Sequence, residues 1–199
     1  MQALQTRGTT GFATMHAEDD LILMSQIAGG NMDAYRTVLG LYMTPIYKFS
    51  YSILQDQGMA EDVTQETCIR LWNNASKWNP SGRIKSWLFR IAHNLCIDEI
   101  RRSRPHSDIN ELSEVIASNE KSAFDEMHES DVSKTIREAL MKIPVRQRTA
   151  LMLVHYTDCS NIEAANIMEI SVDAVESLLA RGRQALKNSL KDQKEKIWE

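Results

Sequence analysis

The chain has 199 residues, 43% of them apolar, enough for one ordinary domain or two small helical ones. No apolar run approaches the length of a membrane span, and residues 1–20 lack the basic-then-apolar order of a secretory signal. The net charge is −4, unevenly spread: residues 21–104 hold ten basic and seven acidic side chains, 105–131 hold one and eight, and 132–199 hold eleven and nine.

Residues 1–18, rich in Thr, Gly and Ala, read as a disordered leader, with Met15 an alternative start and a cytoplasmic protein as the outcome. Beyond them strand signals are scarce, and the apolar spacing predicts helices over 19–28, 32–54, 60–75, 84–103, 131–142, 146–156, 161–168 and 172–190. Gly58, Pro105 and Pro144 are among the residues that punctuate them. Residues 105–130 are acidic, poor in large apolar side chains and without a sustained period, which marks a linker. The expected fold is therefore all-α: a helical domain over 19–104, the acidic linker, and a second helical domain over 131–199.

In the stretch 60–75, Val63, Thr67, Leu71, Trp72 and Ala75 form a core stripe, while Asp62, Gln65, Glu66, Ile69 and Asn73 share the other side. Carboxylates and amides around an exposed Ile fit a docking surface for a basic protein; a solvated acidic face is the plain alternative. The loop that follows interleaves Trp78 and Trp87 with Lys77, Arg83, Lys85 and Arg90, beside Asn79. Rings that stack on unpaired bases, next to cations that track phosphates, are what single-stranded DNA requires. The helix after it places Leu88, Ile91, Ala92 and Leu95 on a core stripe and Trp87, Arg90, Asn94, Asp98 and Arg101 on another. Trp87, next to Ser86 on the polar stripe, is expected to be exposed, and Trp72 to be buried.

In the second domain Ser160 with Glu163 fits a capping box, and Ile162, Ala165 and Met168 can face inward along a short helix. A tight turn over Met168, Glu169 and Ile170 leads to Ser171 as the cap of a longer helix, the outline of a helix-turn-helix. That helix sorts Val175, Leu178, Leu179, Gly182 and Leu186 to the core and Asp173, Ser177, Ala180 and Gln184 to the opposite side, with Ala174 near its start and Arg181 on a flank. Small side chains flanked by cations suit close approach to a DNA groove.

Cys68, Cys96 and Cys159 are odd in number and far apart, so they read as inert buried thiols. The pairs His93 with Cys96 and His155 with Cys159 have helical ligand spacing, but no metal, cofactor or catalytic constellation is expected.

Three stretches together resemble the extracytoplasmic-function (ECF) sigma factors: Ala60–Trp72, Ser86 through Arg102, and Ile143–Arg148 with Val172–Leu186. The resemblance spans residues 19 to about 190. It implies a non-catalytic transcription-initiation factor whose partners are core RNA polymerase, promoter DNA and an anti-sigma factor. Asp62, Gln65, Glu66 and Ile69 would meet the coiled coil of the largest polymerase subunit, and the second-largest subunit would offer its flap. Lys77, Trp78, Asn79, Arg83, Lys85, Trp87, Arg90, Asn94 and Arg101 would read and melt the −10 element. Ser171, Asp173, Ala174, Ser177, Arg181 and Gln184 would read the −35 element, with Arg148 on backbone phosphate. The acidic linker would thread the positive channel of the enzyme. The chain departs from the family's usual pattern at Cys68, Glu176, Leu178 and the glycine-free turn at 168–170. A helix-turn-helix regulator that binds DNA without polymerase is the alternative reading.

Overall fold

The computed structural model describes residues 17–79, 82–103 and 131–197, so the leader and the acidic linker lie outside the described residues. Eight α-helices account for the described architecture: α1 (Ala17–Ala28), α2 (Met32–Leu54), α3 (Gln57–Asn74), α4 (Ile84–Ser103), α5 (Asp131–Met141), α6 (Val145–Leu151), α7 (Asn161–Met168) and α8 (Val172–Ile197). A short 3-10 turn, Ala75–Lys77, extends α3, and a wider π turn, Met152–Tyr156, extends α6.

Local chemistry sets the boundaries. The Asn31 side chain accepts from the amides of Asp33 and Ala34, capping α2. Asp56 caps α3 by accepting from Met59 N, so α3 begins at Gln57 rather than at residue 60, and Gly58 sits inside its first turn instead of marking a break. The Ser160–Glu163 capping box forms as the sequence predicts, with both reciprocal bonds present. Glu169 ends α7 in the left-handed conformation at φ 55°, the position where Gly is frequent; a non-Gly residue there costs about 1 kcal/mol. Helix α8 continues past residue 190 through a run of Lys, Asp, Gln and Glu, where straight-chain helix formers dominate.

Helices α2, α3 and α4 pack pairwise into one lobe, with α1 lying against α2 and the Ala75–Lys77 turn. Val38, Phe49, Leu71, Ile84, Leu88 and Phe89 are sealed inside it, Phe49 and Phe89 edge to face at 5.3 Å between centroids. Helices α6, α7 and α8 form the second lobe around Leu151, Leu153, Ile167, Val175 and Leu179, and α5 lies on α8. Gly182 lets α8 approach α6: a Cβ there would stand 3.0 Å from Leu151 Cδ1 and 3.3 Å from the Gln147 carbonyl oxygen. The two lobes share one continuous apolar core, because α4 packs on α7 and α2 on α6.

Candidate nucleic-acid interface

On α3, Asp62, Gln65 and Ile69 are exposed, Ile69 at 52%, and Glu66 is half-buried in an ion pair with Arg70 at 2.8 Å. Trp72 is not in the core. It is 37% exposed, three residues from Ile69 on the same face, its ring edge-on to Tyr35 at 5.1 Å. The Tyr35 hydroxyl donates to the Cys68 carbonyl, which locks that pair against α3. Leu71, one step away, takes the buried position, so the next indole turns outward. The i, i+3 relation of Ile69 and Trp72 was the signal that could have found it.

The loop and the start of α4 carry the basic and aromatic residues as a group. Lys77 and Asn79 are exposed; Trp78 lies half-buried against the core, its Nε1 buried without a hydrogen-bond partner among the described residues. Trp87, expected outside, is half-buried against the same core. The reason is the neighbouring lobe. Helix α7 and the residues flanking it meet α4 at residues 85, 86 and 90, whereas Phe89 of the same helix packs edge to face on Phe49 of α2. Lys85 Nζ donates to the carbonyls of Thr157 (2.9 Å) and Asp158 (3.1 Å), Ser86 Oγ donates to Glu163 (2.8 Å), and Arg90 pairs with Glu169 (2.7 Å). Arg83 pairs with the buried Asp20 at 2.6 Å, a contact that raises its already high pKa.

A cleft of about 690 Å³ separates Trp78, Asn79, Arg83, Trp87 and Arg90 on one wall from Asn166, Glu169 and Ser171 on the other. A second, of about 490 Å³, lies between Asn94, Asp98 and Arg101 of α4 and Arg146 of α6. Asn94 and Arg101 are exposed, and Arg101 stands 3.8 Å from Asp98. His93, beneath this second cleft, has its pKa lowered by burial.

On α8 the expected partition appears, except that Leu186 is only half-buried. Val175, Leu178, Leu179 and Gly182 are buried, whereas Asp173, Ser177, Ala180 and Gln184 are all exposed and form an uncovered face. Ala174 is half-buried; Ser171 caps the helix by accepting from Ala174 N, and Arg181 donates to the Ser177 carbonyl. Ile162 is 64% exposed rather than inward, because Ala164, Ala165, Ile167 and Met168 take the core side of α7.

Arg148 is a correction. It is 3% exposed and donates to the carbonyls of Met141 (3.0 Å), Leu140 (3.4 Å) and Ile53 (3.2 Å), with no phosphate-facing surface. The carboxyl ends of α2 and α5 meet here, and their unsatisfied carbonyls draw in the guanidinium. Burial lowers its pKa to about 10. Gln55 reinforces the junction by donating to the same Met141 carbonyl. Among the described residues no group of three or more His, Cys, Asp or Glu could hold a metal, and no helix is long and apolar enough to cross a membrane.

These elements define a two-lobed, all-helical protein whose second lobe carries a helix-turn-helix. Sigma-70 region 2 matches residues 39–105, and Sigma-70, region 4 matches residues 133–186. The chain is 30% identical over 179 residues to the ECF RNA polymerase sigma factor SigW of Bacillus subtilis (strain 168), covering 85% of this chain and 95% of SigW. SigM of the same strain is 31% identical over 148 residues, 74% of this chain and 89% of that one. The fold is shared with CnrH in complex with the cytosolic domain of CnrY (TM-score 0.62, 23% identity, 87% of this chain and 98% of that one). It is also shared with RpoE in complex with the anti-sigma factor NepR from Bartonella quintana (0.66, 22% identity, 79% and 96%). The chain belongs to the ECF RNA polymerase sigma factors.

Proposed function

We propose that this sigma factor docks on core polymerase through α3, opens the −10 element with the loop at 77–85 and α4, and reads the −35 element with α8. Residues 19–104 form the docking and melting domain, 105–130 the linker and 131–199 the −35 domain. The protein acts in the cytoplasm without catalysis.

On α3, Asp62, Gln65, Glu66 and Ile69 face the coiled coil of the largest subunit, Trp72 widening the apolar part of that patch. An anti-sigma factor that covers this patch, as a protein partner of matching chemistry, holds the chain off the enzyme. The flap of the second-largest subunit meets the second lobe. Lys77, Trp78, Asn79, Arg83, Lys85, Trp87, Arg90, Asn94 and Arg101 serve unpaired bases and their phosphates. Ser171, Asp173, Ala174, Ser177, Arg181 and Gln184 serve the major groove.

The observation that carries this reading is the wall of Trp78, Asn79, Arg83, Trp87 and Arg90 on one cleft. Rings and cations converge there, which is the chemistry of base capture rather than of a stand-alone groove reader. Lys85, Ser86 and Arg90 are engaged by Thr157, Asp158, Glu163 and Glu169 of the second lobe, so DNA reaches them only when the lobes part. The polymerase supplies that separation by binding the lobes apart.

Run-off transcription with core polymerase and a promoter library tests the reading. Trp87→Ala joins core normally but opens promoters poorly, read as lost permanganate reactivity of the −10 thymines. Unchanged reactivity defeats the assignment of this loop.

A further inference from the structure

Helix α1 precedes the Sigma-70 region 2 match, which starts at residue 39, yet it grips the loop assigned above to base capture. It packs on the Ala75–Lys77 turn, where the loop begins. Its Asp20 holds the place where the loop ends. One carboxylate oxygen, Oδ2, accepts from Arg83 Nε at 2.6 Å and from Ile84 N at 3.1 Å, the latter an unpaired amide of the first turn of α4. Asp20 is 1% exposed, and its other oxygen is buried without a hydrogen-bond partner among the described residues. Tyr42 lies close by; its pKa is pushed up to about 12 by burial first and then by the Asp20 charge, so it stays a neutral phenol.

A carboxylate in this position is expensive if its only task is to pack α1. Desolvation of a charge costs several kcal/mol, and an orphaned oxygen adds to it. An apolar side chain would hold the helix as well. What an apolar side chain could not do is fix Arg83 on the cleft wall and the first turn of α4 at the same time. The Arg83 side chain is 39% exposed and lines the cleft while its Nε is held from below.

We propose that Asp20 is a positioning residue for promoter opening: it fixes Arg83 and the start of α4, and so sets the cleft wall assigned to base capture. This rests on the reading of the 77–85 loop given above. Asp20 touches no DNA itself. It acts through Arg83 and the Ile84 amide, which makes α1 part of the melting apparatus.

The test uses the full chain assembled with core polymerase. Asp20→Ala, Asp20→Asn, Arg83→Ala and the Asp20→Ala/Arg83→Ala double variant are compared with wild type for core affinity, thermal melting, permanganate reactivity and −10 base preference. Core affinity stays within about twofold, while opening by Asp20→Ala falls about tenfold, equivalent to about 1.4 kcal/mol. Preference among −10 bases relaxes. The double variant is no worse than the worse single one, because both act through one contact. If Asp20→Ala does not fold, Asp20→Asn, which keeps an acceptor for the Ile84 amide, and Arg83→Ala carry the comparison.

Wild-type opening and base preference in the folded Asp20 variants overturn the proposal. So does a loss of core affinity in proportion to opening, which assigns Asp20 to the general stability of the lobe. Trp87→Ala separates the two layers: if it fails to open promoters while Asp20→Ala is normal, the loop reading stands and only the Asp20 role falls. If Trp87→Ala opens normally, the loop reading falls and takes this proposal with it.

Discussion

Arg90 of α4 donates to Glu169, just past the end of α7, across 2.7 Å, so a cation assigned to promoter DNA is occupied by a carboxylate from the turn of the helix-turn-helix. Ser86 and Lys85 repeat the pattern one turn earlier, with Glu163 and two carbonyls as the acceptors. The second lobe thus offers the first lobe oxygen acceptors where a phosphate backbone would. On the proposed reading, closed and DNA-bound arrangements compete for the same donors.

The Arg90–Glu169 pair is about half exposed on both sides, so it contributes no more than about 1 kcal/mol and weakens with salt. Glu169→Lys sets two cations against each other and favours separated lobes. The expected result is binding of a single-stranded −10 oligonucleotide tighter by about two- to fivefold at low salt. The gain shrinks as ionic strength rises. Small-angle scattering should show a larger radius for the variant. Equal radii and equal affinities at low salt would count against the competition.

Arg148→Ala removes the guanidinium shared by the Ile53, Leu140 and Met141 carbonyls, of which Leu140 keeps the Ile143 amide and Met141 keeps Gln55. Bonds to a buried charged group are worth about 1.5–3 kcal/mol each in favourable cases, so the variant should lose about 2–4 kcal/mol of stability. Arg148→Lys recovers part of the loss, since one ammonium cannot span three carbonyls from two helices. Urea denaturation measures both. A residue that served phosphate alone would show the reverse: unchanged stability, with −35 affinity and its salt slope reduced.

Much of this was legible in the sequence because it rests on local rules. Helix positions, the Ser160–Glu163 box and the buried and exposed sides of α8 follow from spacing and capping, which need no knowledge of neighbours. What spacing could not supply was the second surface that α4 meets. A helix packed on α2 and α3 on one side and on α7 on another has no single core stripe, so Phe89, His93 and Cys96 are buried where Ile91 and Leu95 are only partly so. Trp87 and Arg148 were misplaced for the same reason, each being covered or recruited by an element distant in sequence. Asp20 escaped notice because its partners lie 63 and 64 residues away.

His93 reports on the α4–α6–α7 junction through pH. Burial lowers its pKa, opposed by the Asn94 hydrogen bond and by Glu169, with Arg146 adding to the lowering. The unfolded chain takes up the proton near the ordinary value of about 6.5, and the folded protein only at lower pH. Stability is therefore full above that value, declines as pH falls through it, and the decline from this residue ends below the folded pKa. Glu163 works in a lower window. Despite burial, which raises its pKa, bonds from Ser160 and Ser86 hold it lowered, and its contribution is lost only as pH drops through and below the usual carboxylate range. Urea midpoints between pH 8 and about 5 should fall for wild type and stay flatter for His93→Leu. Parallel curves would remove His93 as the source.

Trp72 gives a test of the docking patch that separates packing from recognition. Its ring is partly exposed and lies edge-on to Tyr35 at 5.1 Å, a contact worth about 0.5–1.5 kcal/mol. Trp72→Ala should therefore lower stability only modestly. Exposed Trp beside Ile69, with Asp62, Gln65 and Glu66 around them, has the composition of an interface hot spot, where truncation costs about 2 kcal/mol or more. Affinity for core polymerase, measured by competition against a labelled sigma factor, should then fall about thirtyfold. Ile136, also exposed, lies on α5 in the other lobe, and its replacement by Ala should leave core affinity alone. A Trp72→Ala variant that loses stability and keeps its affinity would return this indole to the role of a structural ring.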